Sequence, residues 1–181
     1  AAAVGATVVT RVLEPGYVST VDSGNFAGHL IALKQACYEM MKDKSINEQD
    51  TKRLHAIAER AHAYAIEMDF RFLFDEKRKL FTIGYHIGSN RVDNSYYDLL
   101  ASESRLASFI AVAKDDVSVD HWFRLGRSLT TAAGTRTLLS WSGTAFEYLM
   151  PALFTRLFAN SLLEDACRDC VGRQIDYGNR M

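Results

Sequence analysis

One stretch limits the fold of this chain more than any other: Ser95–Lys114, SYYDLLASESRLASFIAVAK. At helical spacing Leu99, Leu106 and Ile110 form an apolar stripe at i, i+7 and i+11, flanked by Leu100, Ala107 and Ala111. The i+4 position of that stripe is Glu103, with Ala101, Ser102 and Ser104 around it. A carboxylate where a core leucine belongs is costly unless it is paired, neutralised or in use. The pattern predicts a helix over 95–114, capped by Asn94 or Ser95, with an acid on its inner face.

The rest of the chain has to supply what Glu103 faces. With 181 residues, 48% of them hydrophobic, it can bury one real core. Prolines only at 15 and 151 suit a mainly α protein. Residues 1–13 are apolar and β-branched, expected to be extended, and Glu14-Pro15-Gly16 reads as a turn. Phe26, Leu30, Leu33, Cys37 and Met40 predict a helix of about five turns, with Asp22, Ser23 or Asn25 as its N-cap. Asn47–Asp69 predicts a second helix with Leu54, Ile57, Ala61, Tyr64 and Met68 on one side, completing an αα-hairpin.

The period then changes to two. Phe70, Phe72 and Phe74 alternate, as do Phe81, Ile83, Tyr85 and Ile87, around a charged turn at Asp75–Lys79; this predicts a β-hairpin. Val119–Gly126 reads as a short helix or turn and Arg127–Gly143 as a loop. Thr144 caps a helix that Pro151 must kink or restart, and Ser161–Tyr177 is the last helix.

Several function classes are disfavoured. A formal charge of −1 leaves no basic footprint for nucleic acid. No apolar run nears the roughly 20 residues that cross a bilayer. Cys167 and Cys170 make one CxxC on a helical pattern, and no second pair completes a zinc site, so no metal is expected and a reducing compartment fits. His55, Glu59 and His62 share a helix face, but a di-metal bundle needs the ExxH twice, so a solvated face is the reading. Neither a GxSxG elbow nor a Gly-rich phosphate loop occurs.

What remains is a pair of acids. Glu147 is the only charge between Arg136 and Arg156. Two acids in apolar helices, each just after a polar loop, have the arrangement that separates pKa values in a glycosidase site. The alternative is a buried acid paired with Arg105, Arg124, Arg127 or Arg136. Aromatic residues beside Asp and Asn, such as Tyr96, Tyr97 and Trp141 near Asp98 and Asn94, suit a sugar, whose CH faces stack and whose hydroxyls seek polar groups.

The segments YVSTVDSGNFAGHLIAL (17–33), FDEKRKLFTIGYHI (74–87), SYYDLLASESRLASFIAVAK (95–114), VDHWFRLGR (119–127) and LLSWSGTAFEYLMPALF (138–154) closely resemble the central glycoside-hydrolase-like region of bacterial cyclic β-1,2-glucan synthases. The same region is similar to endo-β-1,2-glucanases and to glucoamylase-like domains. The resemblance implies part of an (α/α)6 toroid over 14–181 with one β-hairpin insertion, about six helices standing where a complete toroid has twelve. It implies a large inner-membrane parent that extends a β-1,2-glucan from UDP-glucose, with this soluble piece on the cytoplasmic face and no cofactor of its own. The central domain would then close the ring by retaining transglycosylation.

On that resemblance Glu103 is the nucleophile and Glu147 the second catalytic candidate. Asp22, Asn25, Tyr96, Tyr97, Asp98 and Trp141 would line the glucan cleft. The expected partners are the β-1,2-glucan chain and the remaining domains of the parent, with self-association of the piece through exposed apolar faces. Residues 1–13 do not match the family's aromatic-rich segment and are left unassigned or read as a foreign leader. The family continues past residue 181 into a segment like WGISES, whose acid would be the general acid/base. The competing readings are a non-catalytic glucan-binding or scaffolding module and an inverting β-1,2-glucan hydrolase.

Overall fold

A computed structural model describes residues 16–132 and 135–181; the expected extended leader, and the Glu14-Pro15 part of the first turn, lie outside the described residues. The chain is mainly helical, as expected, with three small antiparallel sheets among the described residues. Strand β1 (Tyr17–Ser19) leads into helix α1 (Thr20–Met40), and α2 (Glu48–Glu67) packs back on it as the predicted αα-hairpin. Strands β2 (Phe74–Asp75), β3 (Leu80–Phe81), β4 (Gly84–His86) and β5 (Arg91–Val92) precede α3 (Arg105–Ala113) and α4 (Asp120–Arg124). Strands β6 (Leu129–Ala132) and β7 (Thr135–Leu138) are followed by α5 (Ala145–Leu149) and α6 (Leu162–Gly178).

Helix α1 starts earlier than its apolar pattern suggests. Ser19, not Asp22, Ser23 or Asn25, is the N-cap, and its Oγ accepts from the Asp22 amide at 3.1 Å. The buried face also differs from the predicted stripe. Leu30 and Cys37 are buried, but Phe26, Leu33 and Met40 are exposed, while Gly24, Ala27 and Gly28 turn inward. The reason is a close approach of two helices. A Cβ on Gly24 would lie 2.6 Å from Cα and 2.7 Å from N of Ala107, so α1 and α3 meet almost backbone to backbone. In α2 the same economy of volume applies: Ala58, Ala61 and Ala65 are buried, and Ile57 and Tyr64 are exposed. Small residues therefore form the helix contacts and large ones are left at the surface.

The expected single β-hairpin divides between two sheets. Phe70–Leu73 curls through a 3₁₀ turn, β2 pairs only with β3, and β4 pairs with β1 and β5. Thr82 is the junction. Its amide and Oγ donate to the Leu73 carbonyl at 3.0 and 3.1 Å, and its own carbonyl accepts from Thr20 Oγ at 2.7 Å. Residues 127–143, expected as loop, contain the β6–β7 hairpin, in register at Leu129–Leu138 and Thr131–Arg136. Pro151 ends α5 as expected, and the chain continues as a 3₁₀ turn over Met150–Leu153.

The largest correction concerns Ser95–Lys114. Only Arg105–Ala113 is helical. Ser95–Tyr97 runs extended, with the Ser95 carbonyl accepting from Ile83 N at 3.0 Å and the Tyr97 amide donating to Phe81 O at 3.2 Å. Asp98–Ser104 then folds as tight turns, and Ser102 has a φ of +50°. Leu99 and Leu100 bury in a core with Leu125, Leu138 and Tyr148, whereas Leu106, Ala107 and Ile110 join Phe70, Leu73 and Phe81. The apolar stripe thus serves two cores on either side of a turn.

His121 of α4 is fully buried against Phe74 and Phe81, ring centroids 5.3 and 4.8 Å away. Its Nδ1 lies 2.9 Å from Lys79 O and its Nε2 2.8 Å from Ser108 Oγ. A carbonyl only accepts, so Nδ1 carries the proton and Nε2 accepts from the serine hydroxyl. Burial pushes the imidazole pKa down despite the Lys79 contact.

Two expectations follow for stability. Gly24→Val should lower the denaturant midpoint, by about 1–3 kcal/mol of overpacking, since α1 and α3 must separate to admit the side chain. For His121 the unfolded chain binds the proton that the folded one resists, so its contribution is complete above about pH 6.5 and is lost as the pH falls below that value. His121→Gln should flatten that part of the stability–pH curve in chemical denaturation.

Candidate functional site

Helix α3 begins one residue after Ser104, and the turn before it holds Glu103, only 7% exposed. Its Oε1 accepts from Asn25 Nδ2 at 2.8 Å, and its Oε2 accepts from the Ser102 hydroxyl. Asn25 follows Gly24 directly, so the close approach of α1 to α3 carries the amide to the carboxylate. The donor to Glu103 must be the amide nitrogen, since the oxygen would set acceptor against acceptor. Asn25 Oδ1 is buried and has no partner among the described residues.

Glu147, in the first turn of α5 and 3% exposed, has a different setting. Its Oε1 accepts from the Ser102 amide at 2.9 Å, and its Oε2 accepts from the Ser142 amide at 2.9 Å and hydroxyl at 2.7 Å. Burial pushes its pKa up, but the bonds from Ser142, Ser102 and Ser140 outweigh burial and hold it below the usual carboxylate value. Glu147 is therefore an ionised, donor-saturated acid.

No arginine among the described residues pairs with either carboxylate. Arg105, only 4% exposed, instead donates from Nη1 to Glu147 O at 2.6 Å and from Nη2 to Tyr148 O at 2.5 Å. Burial pushes its pKa down to about 10, which still leaves it cationic at neutral pH. Of the four arginines expected as partners in the alternative reading, Arg105 reaches Glu147, and it does so through the main-chain oxygen and not the carboxylate.

An aromatic rim lies alongside. The Tyr97 ring packs at 5.5 Å from that of Trp141, which is 52% exposed and tied by its amide to Leu100 O at 3.2 Å. Burial pushes the Tyr97 pKa up to about 12, with the charges of Asp22, Glu103 and Asp93 adding to it. Asp22, Tyr97, Glu103 and Asn25 thus share one neighbourhood with Trp141. Tyr96 points to other partners: its hydroxyl donates to Asp75 Oδ2 at 2.7 Å, and Arg78 stacks on its ring at 4.8 Å. Asp98 is exposed and packs against Gly126, where a Cβ would lie 2.9 Å from Asp98 Cγ.

Two residues of this site carry no signal of their own in sequence: Ser102 and Ser142. Ser102 appears there only as a small neighbour of Glu103. Its role depends on the left-handed φ, which lets one residue direct its amide to one acid and its hydroxyl to the other. A second polar cluster joins Tyr17 Oη to Asp93 Oδ2 at 2.5 Å and His86 Nε2 to Asp93 Oδ1 at 3.1 Å. On α6, Cys167 is buried and donates Sγ to Tyr148 O at 3.1 Å, and Glu59 of the ExxH accepts from Tyr38 Oη at 2.7 Å.

Chemically, the arrangement offers a carboxylate with both oxygens directed by neighbours, and an exposed indole, tied to the same turn through Leu100, whose face can stack on a flat apolar ring. Among the described residues no helix is long and apolar enough to cross a membrane. No protein-family model matches the chain. The chain is similar to the cyclic β-(1,2)-glucan synthase NdvB of Rhizobium meliloti (strain 1021), at 40% identity over 168 residues. That match covers 91% of this chain and 6% of the length of the curated relative.

Proposed function

We propose that this chain is the glucan-handling segment of a cyclic β-1,2-glucan synthase, with Glu103 as the carboxylate that attacks the glucan during ring closure. The observation that carries the reading is Glu103 itself: nearly buried, with one oxygen bonded to Asn25 of α1 and the other to Ser102 of its own turn. The 40% identity to a protein named as such a synthase supports the substrate class. The mainly helical fold is consistent with one portion of an (α/α)6 toroid, whose other helices belong to the parent polypeptide.

In this reading the Glu103 carboxylate bonds to an anomeric carbon of linear β-1,2-glucan, and the glycosidic oxygen departs with a proton from a general acid. That acid lies in the parent chain outside this segment. The 2-hydroxyl at the other end of the same glucan then replaces Glu103, returning its proton to that group. The configuration is inverted twice and so retained. Trp141 stacks the sugar with the buried Tyr97 ring packed against it, and Asp22 meets the sugar hydroxyls, while Asn25 holds Glu103. UDP-glucose serves only the elongating part of the parent, at the inner membrane, with this segment on the cytoplasmic face.

The test uses the full-length synthase that carries this segment. Glu103→Gln should lower conversion of linear to cyclic β-1,2-glucan by roughly 10³-fold or more, with the circular dichroism spectrum unchanged and linear glucan accumulating. Ring closure at the wild-type rate would remove Glu103 from the chemistry and leave a glucan-binding or scaffolding module. A product of inverted anomeric configuration would replace transglycosylation by inverting hydrolysis.

A further inference from the structure

Glu147 holds the two halves of the candidate site in register. Its Oε1 takes the amide of Ser102, the residue before Glu103, and its main-chain oxygen takes the guanidinium of Arg105, two residues after it. Glu103 is thus bracketed on both sides by groups anchored on one residue. From the other carboxylate oxygen, Oε2, two bonds run to Ser142, the residue after Trp141. The Trp141 amide closes the circuit by donating to Leu100 O at 3.2 Å.

The Ser102 conformation makes this circuit specific. With φ at +50° it occupies the left-handed region that disfavours a non-glycine residue, yet this backbone is what splits its two donors between the two acids. A purely structural buried acid would need donors of any origin. Here every donor to Glu147 comes from a residue adjacent to Glu103 or to the exposed indole, or from Ser140 beside that indole.

Resting on the reading of Glu103 as the reacting group, we propose that Glu147 is a positioning residue. Through Ser102 it sets the attacking carboxylate, and through Ser142 it sets the Trp141 stacking face, so that the acid and the bound sugar keep one relative placement. Glu147 does not exchange a proton with the substrate, because its oxygens are filled by main-chain and serine donors. Ser102 is the branch point: its hydroxyl touches Glu103 alone, and its amide touches Glu147 alone.

The branches separate in kinetics. In the full-length synthase, Ser102→Ala should lower kcat for ring closure about tenfold while KM for linear glucan stays unchanged, because only the Glu103 branch is cut. Ser142→Ala should raise KM and weaken the quenching of Trp fluorescence by linear glucan, with a smaller effect on kcat. Glu147→Gln should do both, about 10²-fold in kcat/KM, and should leave the limbs of the kcat–pH profile where they are in the wild type.

Loss of activity in Glu147→Gln equal to that in Glu103→Gln, with a displaced pH limb, would make Glu147 catalytic and overturn the proposal. Unchanged kcat and KM in all three variants would overturn it as well. If Glu147→Gln does not fold, the two serine variants decide, since each leaves the carboxylate and its remaining donors in place. Failure of the underlying reading has a different signature: Glu103→Gln stays active, whatever the serine variants do.

Discussion

Helices α1 and α3 touch at Gly24 and Ala107 with no room for a side chain between them. Much of the remaining structure depends on that contact. It brings Asn25 within 2.8 Å of Glu103, seats Leu106 against Gly28, and turns the larger residues of α1 outward. A helix pair that approaches this closely fixes rotation as well as distance, because only one face of each helix has small enough residues. The site acid is held by a residue whose placement follows from packing, not from any local preference at Glu103.

Two buried charges then secure the turn that carries Glu103. Ions taken out of water are costly unless their hydrogen-bonding capacity is met. Glu147 meets its own with serine hydroxyl and main-chain donors, and Arg105 directs two of its N–H groups to carbonyls at the end of α5. Pro151 has no N–H to give the Glu147 carbonyl, so the guanidinium also serves a helix end. Opposite charges lie close together here without a direct ion pair. What they gain is directional: the Ser102 amide on Glu147 and the Arg105 guanidinium on the Glu147 and Tyr148 carbonyls join the 102–105 turn to the 140–148 segment.

The sequence made parts of this legible for identifiable reasons. Glu103 and Glu147 stand out because a carboxylate amid Leu, Ala and Phe violates a local pattern, and the same logic marks Pro151 as a break. The αα-hairpin is legible from period and capping residues. The helix expected over Ser95–Lys114 begins only at Arg105, because Leu99 and Leu100 satisfy a helical stripe and an extended run equally well. The three phenylalanines at 70, 72 and 74 alternate in sequence, yet Thr82 moves the ladder to another partner and leaves them on a turn.

By itself the sequence determined the mainly helical class, the two long helices, the restart at Pro151 and the presence of two misplaced acids. These are properties of residues within a few positions of each other, where periodicity and backbone sterics act. Tertiary structure alone decided which face of α1 is buried, where the 95–114 helix begins, and what each acid binds. Those outcomes rest on hydrogen bonds and close contacts between residues 40 to 80 positions apart, such as Ser102 with Glu147 and Asn25 with Glu103. A hydroxyl next to an acid in sequence acquires a role only when the backbone turns it toward that acid, and the turn at Ser102 is held through its amide by Glu147, 45 residues away.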